Sequence, residues 1–354
     1  MRKTEKWLLK KMPRMGCALY AFKHAGDKEY FKKAVQTDSL ILKCNSLGPD
    51  NPDKNIYYIE LCERNNGFFA VYHKLLKHLY FADRFGLIPV VRFTKDYLYA
   101  ESHEVNETDN PFEYYYLQPG SISVEEALRS RNVFKAEYIH TRIEDLTSRQ
   151  SGDYEISEEY IELLGRISAK YIHLNKKTKD EIEQDISNIR INDRTIGIHY
   201  RGTDYKRGFS RHPVFTGIDE YIEVASDLLE TGEYDRIFLA TDDAEAVRRI
   251  ENRFPGRVIT YKDVYRTDGD VSVAFSKDER PDHHYRLGYE VLRDMLTLSR
   301  CNALIAGASQ VSLAVRITKS SCGEKYKDEK IIFHGVNKRG ADDREYYRSY
   351  GVGK

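Results

Sequence analysis

The chain has 354 residues, with 56 Lys and Arg set against 56 Asp and Glu for a formal net charge of 0. That balance carries no basic excess of the kind a nucleic acid or an anionic membrane calls for, so neither is expected as a main partner. Hydrophobic residues at 41% and charged residues at 32%, with no low-complexity stretch, exclude wholesale disorder, and the length predicts two domains rather than one core.

Residues 1–55 are polar and Lys-rich and read as an N-terminal extension, closed by the loop signal Gly48-Pro49-Asp50-Asn51-Pro52. Leu8 and Leu9 offer at most a peripheral membrane contact, and no apolar run approaches the roughly 20 residues of a membrane span. Without a small-residue cleavage site near the N-terminus, the expected compartment is the cytoplasm. The scattered, odd set Cys17, Cys44, Cys62, Cys301 and Cys322 agrees, since it builds neither a disulfide framework nor a zinc site.

From 56 to 190 the pattern predicts a first α/β domain. Ile56 to Leu61 is a strand, Gly67 precedes an amphipathic helix over 69–85 capped by Gly86, and Leu87 to Val91 is a second strand. Together they form a βαβ unit and so a parallel sheet. The aromatic run from Phe112 to Tyr116 either packs a loop or offers ring faces to a sugar. Helices are expected over 123–130 and from about 156 into the 180s.

From 191 to 338 the alternation is clear and predicts a second, doubly wound domain, followed by a tail over 339–354. Strands fall at 195–200, 236–240, 257–260, 303–306 and 330–333. Helices fall at 219–229, with Asp219 as its cap, and at 244–252, 287–298 and 310–317. The expected architecture is two Rossmann-like, doubly wound α/β domains facing a cleft.

Several chemistries are excluded. No G-x-G-x-x-G or G-x-x-x-x-G-K-[ST] follows a strand, so neither a dinucleotide fingerprint nor a phosphate loop is present. Gly307-Ala308-Ser309-Gln310-Val311 lacks the second glycine of a nucleophile elbow. His283-His284 read as loop histidines, and no ligand spacing supports a metal.

Parallel sheets bind ligands beyond the carboxyl ends of their strands. Three such ends carry chemistry: His199-Tyr200-Arg201-Gly202-Thr203-Asp204, Thr241-Asp242-Asp243, and Gly307-Ala308-Ser309-Gln310. Arg201 offers a permanent cationic fork to phosphate. Ser309 and the first amides of its helix offer a second anion site. Asp242, Asp243 and Asp294 are acceptors for sugar hydroxyls or purine N–H groups. Each also has an ordinary role open to it: Arg201 as an ion pair with Asp204, and Asp243 and Ser309 as helix caps. The joint pattern reads as a nucleotide-sugar site.

These residues resemble a known family. Ile196 to Asp204 followed by His212-Pro213 and Tyr221, then Phe238 to Asp243, then Asp294 to Ser299 leading into Ala308 to Val311, are similar to the motifs of the α-1,6-fucosyltransferases. That group includes the core and nodulation-factor fucosyltransferases, with protein O-fucosyltransferases more distant. The resemblance covers about 195–317, weakly 56–92, and not 1–55. It implies a GT-B-like, inverting, metal-independent transferase that needs no cofactor, uses GDP-fucose as donor, and has a glycan or lipid-linked oligosaccharide acceptor, for instance in surface-polysaccharide synthesis. By position, Arg201 would hold the β-phosphate, with Ser309 and Gln310 beside the pyrophosphate. His199 and Asp294 would address guanine, Thr241, Asp242 and Asp243 would line the donor pocket, and Gly67 would open the first βα turn.

Two departures stand out. Family members commonly carry a second arginine where this chain has Gly202, leaving Lys206 or Arg207 to complete the clamp. They also carry a glutamate before the His-Pro pair, where this chain has Tyr205 to Arg211 with no carboxylate. Asp204 is the first candidate for the general base and His212 the second. Another GDP-sugar such as GDP-mannose or GDP-rhamnose, or binding without turnover, are the alternatives.

Overall fold

The computed structural model of the chain describes residues 44–136 apart from Glu63 and Asn65, residues 156–340 apart from Val271 and Lys277, and the single positions 12, 15, 19, 22, 26, 154, 346 and 349. Leu8 and Leu9 lie outside the described residues.

The first sheet holds β1 (Cys44–Asn45), β2 (Ile56–Leu61), β3 (Ile88–Phe93) and β4 (Val133–Ala136) in the order β1-β4-β2-β3. β2 runs parallel to both neighbours, and β1 closes the edge antiparallel to β4. β1 falls in the stretch that the sequence assigns to an extension, and β4 was not expected. Two and four residues long, both are too short to carry a periodicity. Helix α1 (Phe68–Phe85) covers one face with Phe69, Val71, Tyr72, Leu75, Leu76 and Leu79, all buried. It stops at Gly86, whose φ of 64° is the left-handed turn a glycine takes without strain. The short helix α2 (Val124–Ala127), with Ile122, covers the other face.

The expected long helix after 156 is two helices, α3 (Glu158–Tyr171) and α4 (Lys176–Ile189). Ile172 leaves helical geometry at φ −106°, and the Asn175 side chain accepts from Thr178 N at 2.9 Å to restart it.

The second sheet is β5 (Thr195–Tyr200), β6 (Arg236–Thr241), β7 (Val258–Ile259), β8 (Ala303–Gly307) and β9 (Asp328–Ile332). Its order is β7-β6-β5-β8-β9 and every pairing is parallel. The strand order reverses between β5 and β8, the switch point at which such sheets open to a ligand. Helices α5 (Ile218–Glu230) and α6 (Ala244–Arg253) lie on one face, and α7 (His283–Arg300) and α8 (Gln310–Ser321) on the other. Alternation along β5 sorts the faces: Ile196, Ile198 and Tyr200 enter the core under α5 and α6, while Gly197 and His199 turn toward α7.

Two local expectations change. Asp219 does not cap α5: Gly217 does, and Asp219 in the first turn pairs with Arg249. His283 and His284 are the first residues of α7 rather than a loop. Within it, His283 is buried, accepts from Arg280 Nε at 2.8 Å and meets Ser276 Oγ at 3.1 Å.

α1 and α3 pack against α8, so one apolar core runs from Tyr57 and Leu76 of the first half to Leu298 and Leu304 of the second. Along this seam Gly288 of α7 lies against Phe68 at the start of α1, and Gln310 at the start of α8 meets His73 of α1. Among the described residues no helix is long and apolar enough to cross a membrane.

Candidate active site

Register brings the candidate residues together. Tyr200 pairs with Thr241 and His199 with Ala306, so the segments after β5, β6 and β8 leave the sheet side by side. Arg201, with 26% of its side chain exposed, sits at the centre. Its Nη2 donates to Asp204 Oδ1 at 2.6 Å and to Ser272 Oγ at 3.3 Å, and its Nη1 donates to Asp242 Oδ2. Burial works against the guanidinium charge, but Asp204 and Asp242 outweigh it and raise its pKa further.

Asp242 is held from several sides. Thr203 Oγ1 donates to its Oδ2 at 2.8 Å and Gly202 N to its Oδ1 at 3.1 Å. Asp243 caps α6, accepting from Glu245 N at 2.8 Å and Ala246 N at 3.3 Å, while Lys206 Nζ reaches its Oδ2 at 2.6 Å. Thr241 is buried and its hydroxyl accepts from Asp243 N at 3.1 Å. Lys206 is thus engaged by Asp243, and Arg207 pairs with Asp270 at 3.1 Å while stacking over Tyr346.

Gly202 has a steric reason to be glycine. A Cβ there would stand 2.4 Å from Asp243 Oδ2 and 2.8 Å from the Tyr200 ring. The position where the family resemblance expects a second arginine has no room for any side chain.

His199 is buried, its Nδ1 finds no partner among the described residues, and burial pushes its pKa down to about 4 against the pull of Asp242. Asp294 is buried on α7, and burial pushes its pKa up to about 7 although Arg293 and Arg266 pull it down. Arg293 is anchored by Asp185 at 2.6 Å and Asp263 at 2.7 Å. Ser309 caps α8 in a reciprocal box with Ser312, at 3.1 Å from side chain to amide and 3.0 Å in return. Gly67 caps α1 with its own backbone. His212 stands between the rings of Tyr205 and Phe209.

The aromatic run is packing rather than an acceptor surface: Phe112, Tyr114, Tyr115 and Tyr116 are all buried. Tyr115 stacks on Tyr285 with ring centres 5.3 Å apart and donates to its carbonyl at 2.7 Å, which ties the halves together.

Sequence reasoning missed three participants. Ser272, in the loop before α7, accepts from Arg201. Tyr99, after β3, is buried within electrostatic reach of Arg201 and Asp204, and its hydroxyl accepts from Phe68 N at 3.3 Å. His73 of α1 contacts Gln310 across the seam. Only His73 left a signal, as an imidazole on the apolar stripe of Phe69 and Leu76.

No protein-family model matches the chain, and no curated protein matches it by sequence. The structural likeness is to fucosyltransferases. POFUT1 in complex with GDP is 11% identical with a TM-score of 0.48, over 79% of this chain and 99% of that one. NodZ α-1,6-fucosyltransferase soaked with GDP-fucose is 16% identical with a TM-score of 0.44, over 75% and 93%. Fucosyltransferase NodZ from Bradyrhizobium is 16% identical with a TM-score of 0.42, over 76% and 92%.

Proposed function

We propose that this chain is an inverting, metal-independent glycosyltransferase that takes fucose from GDP-fucose and delivers it to a glycan hydroxyl. The observation that carries the reading is that a fixed and partly exposed Arg201 follows β5 while α8 begins after its parallel neighbour β8, on either side of the switch point. The motif residues His199 and Asp294 belong to the same inner face. Arg201 is the cation for a diphosphate, and Ser309 and Gln310 begin the helix that faces the same anion.

In the reaction the acceptor oxygen attacks the anomeric carbon, the bond from that carbon to the β-phosphate oxygen breaks, and GDP leaves with the electron pair. A single displacement inverts the anomeric centre. Arg201 stabilises the charge that grows on the leaving phosphate, an interaction worth several kcal/mol in comparable sites. Diphosphate oxygens compete with Asp204 for Nη2, so donor arrival frees the Asp204 carboxylate to take the acceptor's proton. His212 is the weaker base candidate, because aromatic rings flank it. The two acidic side chains after β6 are already engaged by Arg201, Lys206 and α6 amides, which supports a role for arginine in place of a metal.

One observation favours binding without turnover: Arg201 already serves two carboxylates, and Gly202 excludes a second arginine. GDP release from GDP-fucose, GDP-mannose, GDP-rhamnose, UDP-sugars and ADP-sugars, with and without EDTA, separates the readings. Release from GDP-fucose alone, insensitive to EDTA, is expected. Turnover confined to another GDP-sugar changes the donor. Tight GDP binding with no release from any donor, acceptor glycans included, leaves a binding protein, and metal-dependent turnover of a UDP-sugar refutes the assignment.

A further inference from the structure

A polar contact joins the two halves where α1 meets the start of α8: His73 Nδ1 lies 2.5 Å from Gln310 Oε1. His73 is only 5% exposed. An amide oxygen accepts and never donates, so the proton of this bond sits on Nδ1 and Nε2 is bare. Burial agrees, pushing the imidazole pKa down to about 4 and keeping the ring neutral at physiological pH. Among the described residues Nε2 has no partner, so the ring's hydrogen bonding there goes to the Gln310 contact.

The consequence falls on Gln310. With its oxygen turned to His73, its NH2 is the end left for other partners, and among the described residues no hydrogen bond occupies it. Gln310 is the first residue of α8 and is half-buried. It lines a small cavity of about 20 Å³ with Ala308, Ser309 and Ser312. The first turn of α8 carries no acidic residue, and its Ser312 amide is consumed by the Ser309 cap. Without His73 the carboxamide is free to rotate and present its oxygen, an acceptor that repels phosphate, as readily as its N–H groups.

The geometry points to His73 as a positioning residue supplied by the first half. It fixes the Gln310 carboxamide so that two N–H donors, together with the leading amides of α8, face the donor's diphosphate. This rests on the donor reading above and deepens it: a residue of the first half orients a donor of the second. A donor pre-set in this way avoids the ordering cost of a mobile side chain when the ligand arrives.

Calorimetric titration of GDP into the whole chain tests this, using the wild type, His73→Phe, Gln310→Ala, the double variant and His73→Gln, with thermal unfolding in parallel. His73→Phe and Gln310→Ala should each weaken GDP about tenfold, which corresponds to about 1.4 kcal/mol. The double variant should be no weaker than either single one, because the two residues act as a unit. His73→Gln, which keeps an N–H donor, should recover most of the affinity even if His73→Phe folds poorly. Wild-type affinity in a folded His73→Phe, or additive losses near a hundredfold in the double variant, overturns the inference while the donor reading stands. Wild-type protein that binds no GDP overturns the donor reading and this inference with it.

Discussion

The carboxyl edges of the two sheets are built from opposite materials. Beyond β5 and β6, Arg201, Asp204, Asp242, Asp243 and Lys206 form a charged lattice within hydrogen-bond distance, tight enough that position 202 admits no side chain. Beyond β2 and β3 the chain packs rings: Phe93 against Tyr97 and Phe112, Tyr97 against Tyr99, and Phe68 against Tyr99 and Tyr115, with centres 4.9 to 5.5 Å apart. One edge holds fixed charge, which costs desolvation and is kept because the charges satisfy one another. The other holds apolar area and lends the seam a few polar atoms, from Tyr99 and His73. On the proposed reading chemistry falls to the first edge, and orientation of Gln310 to the second.

The largest expected effect comes from removing the charge at the centre. Arg201→Ala should lower GDP release by a factor on the order of 100 to 1000, the usual loss when one preorganised electrostatic donor is deleted. It also leaves Asp204 and Asp242 facing each other without a cation, so stability should fall by about 3 kcal/mol. A folded Arg201→Ala with wild-type turnover would move the reaction away from this edge.

Asp294 comes next, through pH. Its unfolded carboxyl loses its proton near 3.8, whereas the buried native carboxyl keeps it to about 7. Between these values the native state binds more protons, so this group makes stability fall as pH rises from about 4 to 7. The slope is on the order of 1 kcal/mol per pH unit at most. Asp294→Asn should remove it, and unfolding curves at several pH values would show parallel slopes for the two proteins if the carboxylate were ionised throughout.

Gly202→Arg sharpens the comparison from the steric side. Adding the second arginine that the fucosyltransferase resemblance implies should not strengthen GDP binding. It should lower stability by about 2 kcal/mol as Asp243 is pushed off its α6 amides. A stable Gly202→Arg with tighter GDP binding would show the lattice to be looser than described.

How much of this was written in the sequence depends on the range of the interaction. The βα alternation, the Gly86 cap, and Ser309 and Asp243 at helix starts were legible, because strand pattern and caps are local. The break between α3 and α4 was hidden, since Ile172 and Leu174 continue the apolar content through it, although Asn175 was a usable start signal. Arg201 was placed correctly at a strand end. That Asp242 and Ser272 join Asp204 as its partners depends on the β5–β6 register and on a loop seventy residues away, which no spacing encodes. His73 meets Gln310 only because the two halves pack helix on helix.

The smallest effect tests how far the charged edge is supported from outside its own sheet. Tyr346, beyond the last strand, is buried with its ring 5.2 Å from Phe209 and 4.7 Å from the Arg207 guanidinium. Its hydroxyl accepts from Ser272 N at 2.9 Å, and Ser272 Oγ in turn accepts from Arg201. Tyr346→Phe keeps the ring and removes that one acceptor, so stability should fall by only about 1 kcal/mol. GDP affinity should fall by a few-fold at most, because Asp204 and Asp242 still hold the guanidinium. Tyr346→Ala removes the ring under Arg207 and Phe209 as well and should cost about 3 kcal/mol. If Tyr346→Phe instead matched Arg201→Ala in lost turnover, Arg201 would owe its position to the Ser272 loop more than to its carboxylates, and the charged edge would not be self-supporting.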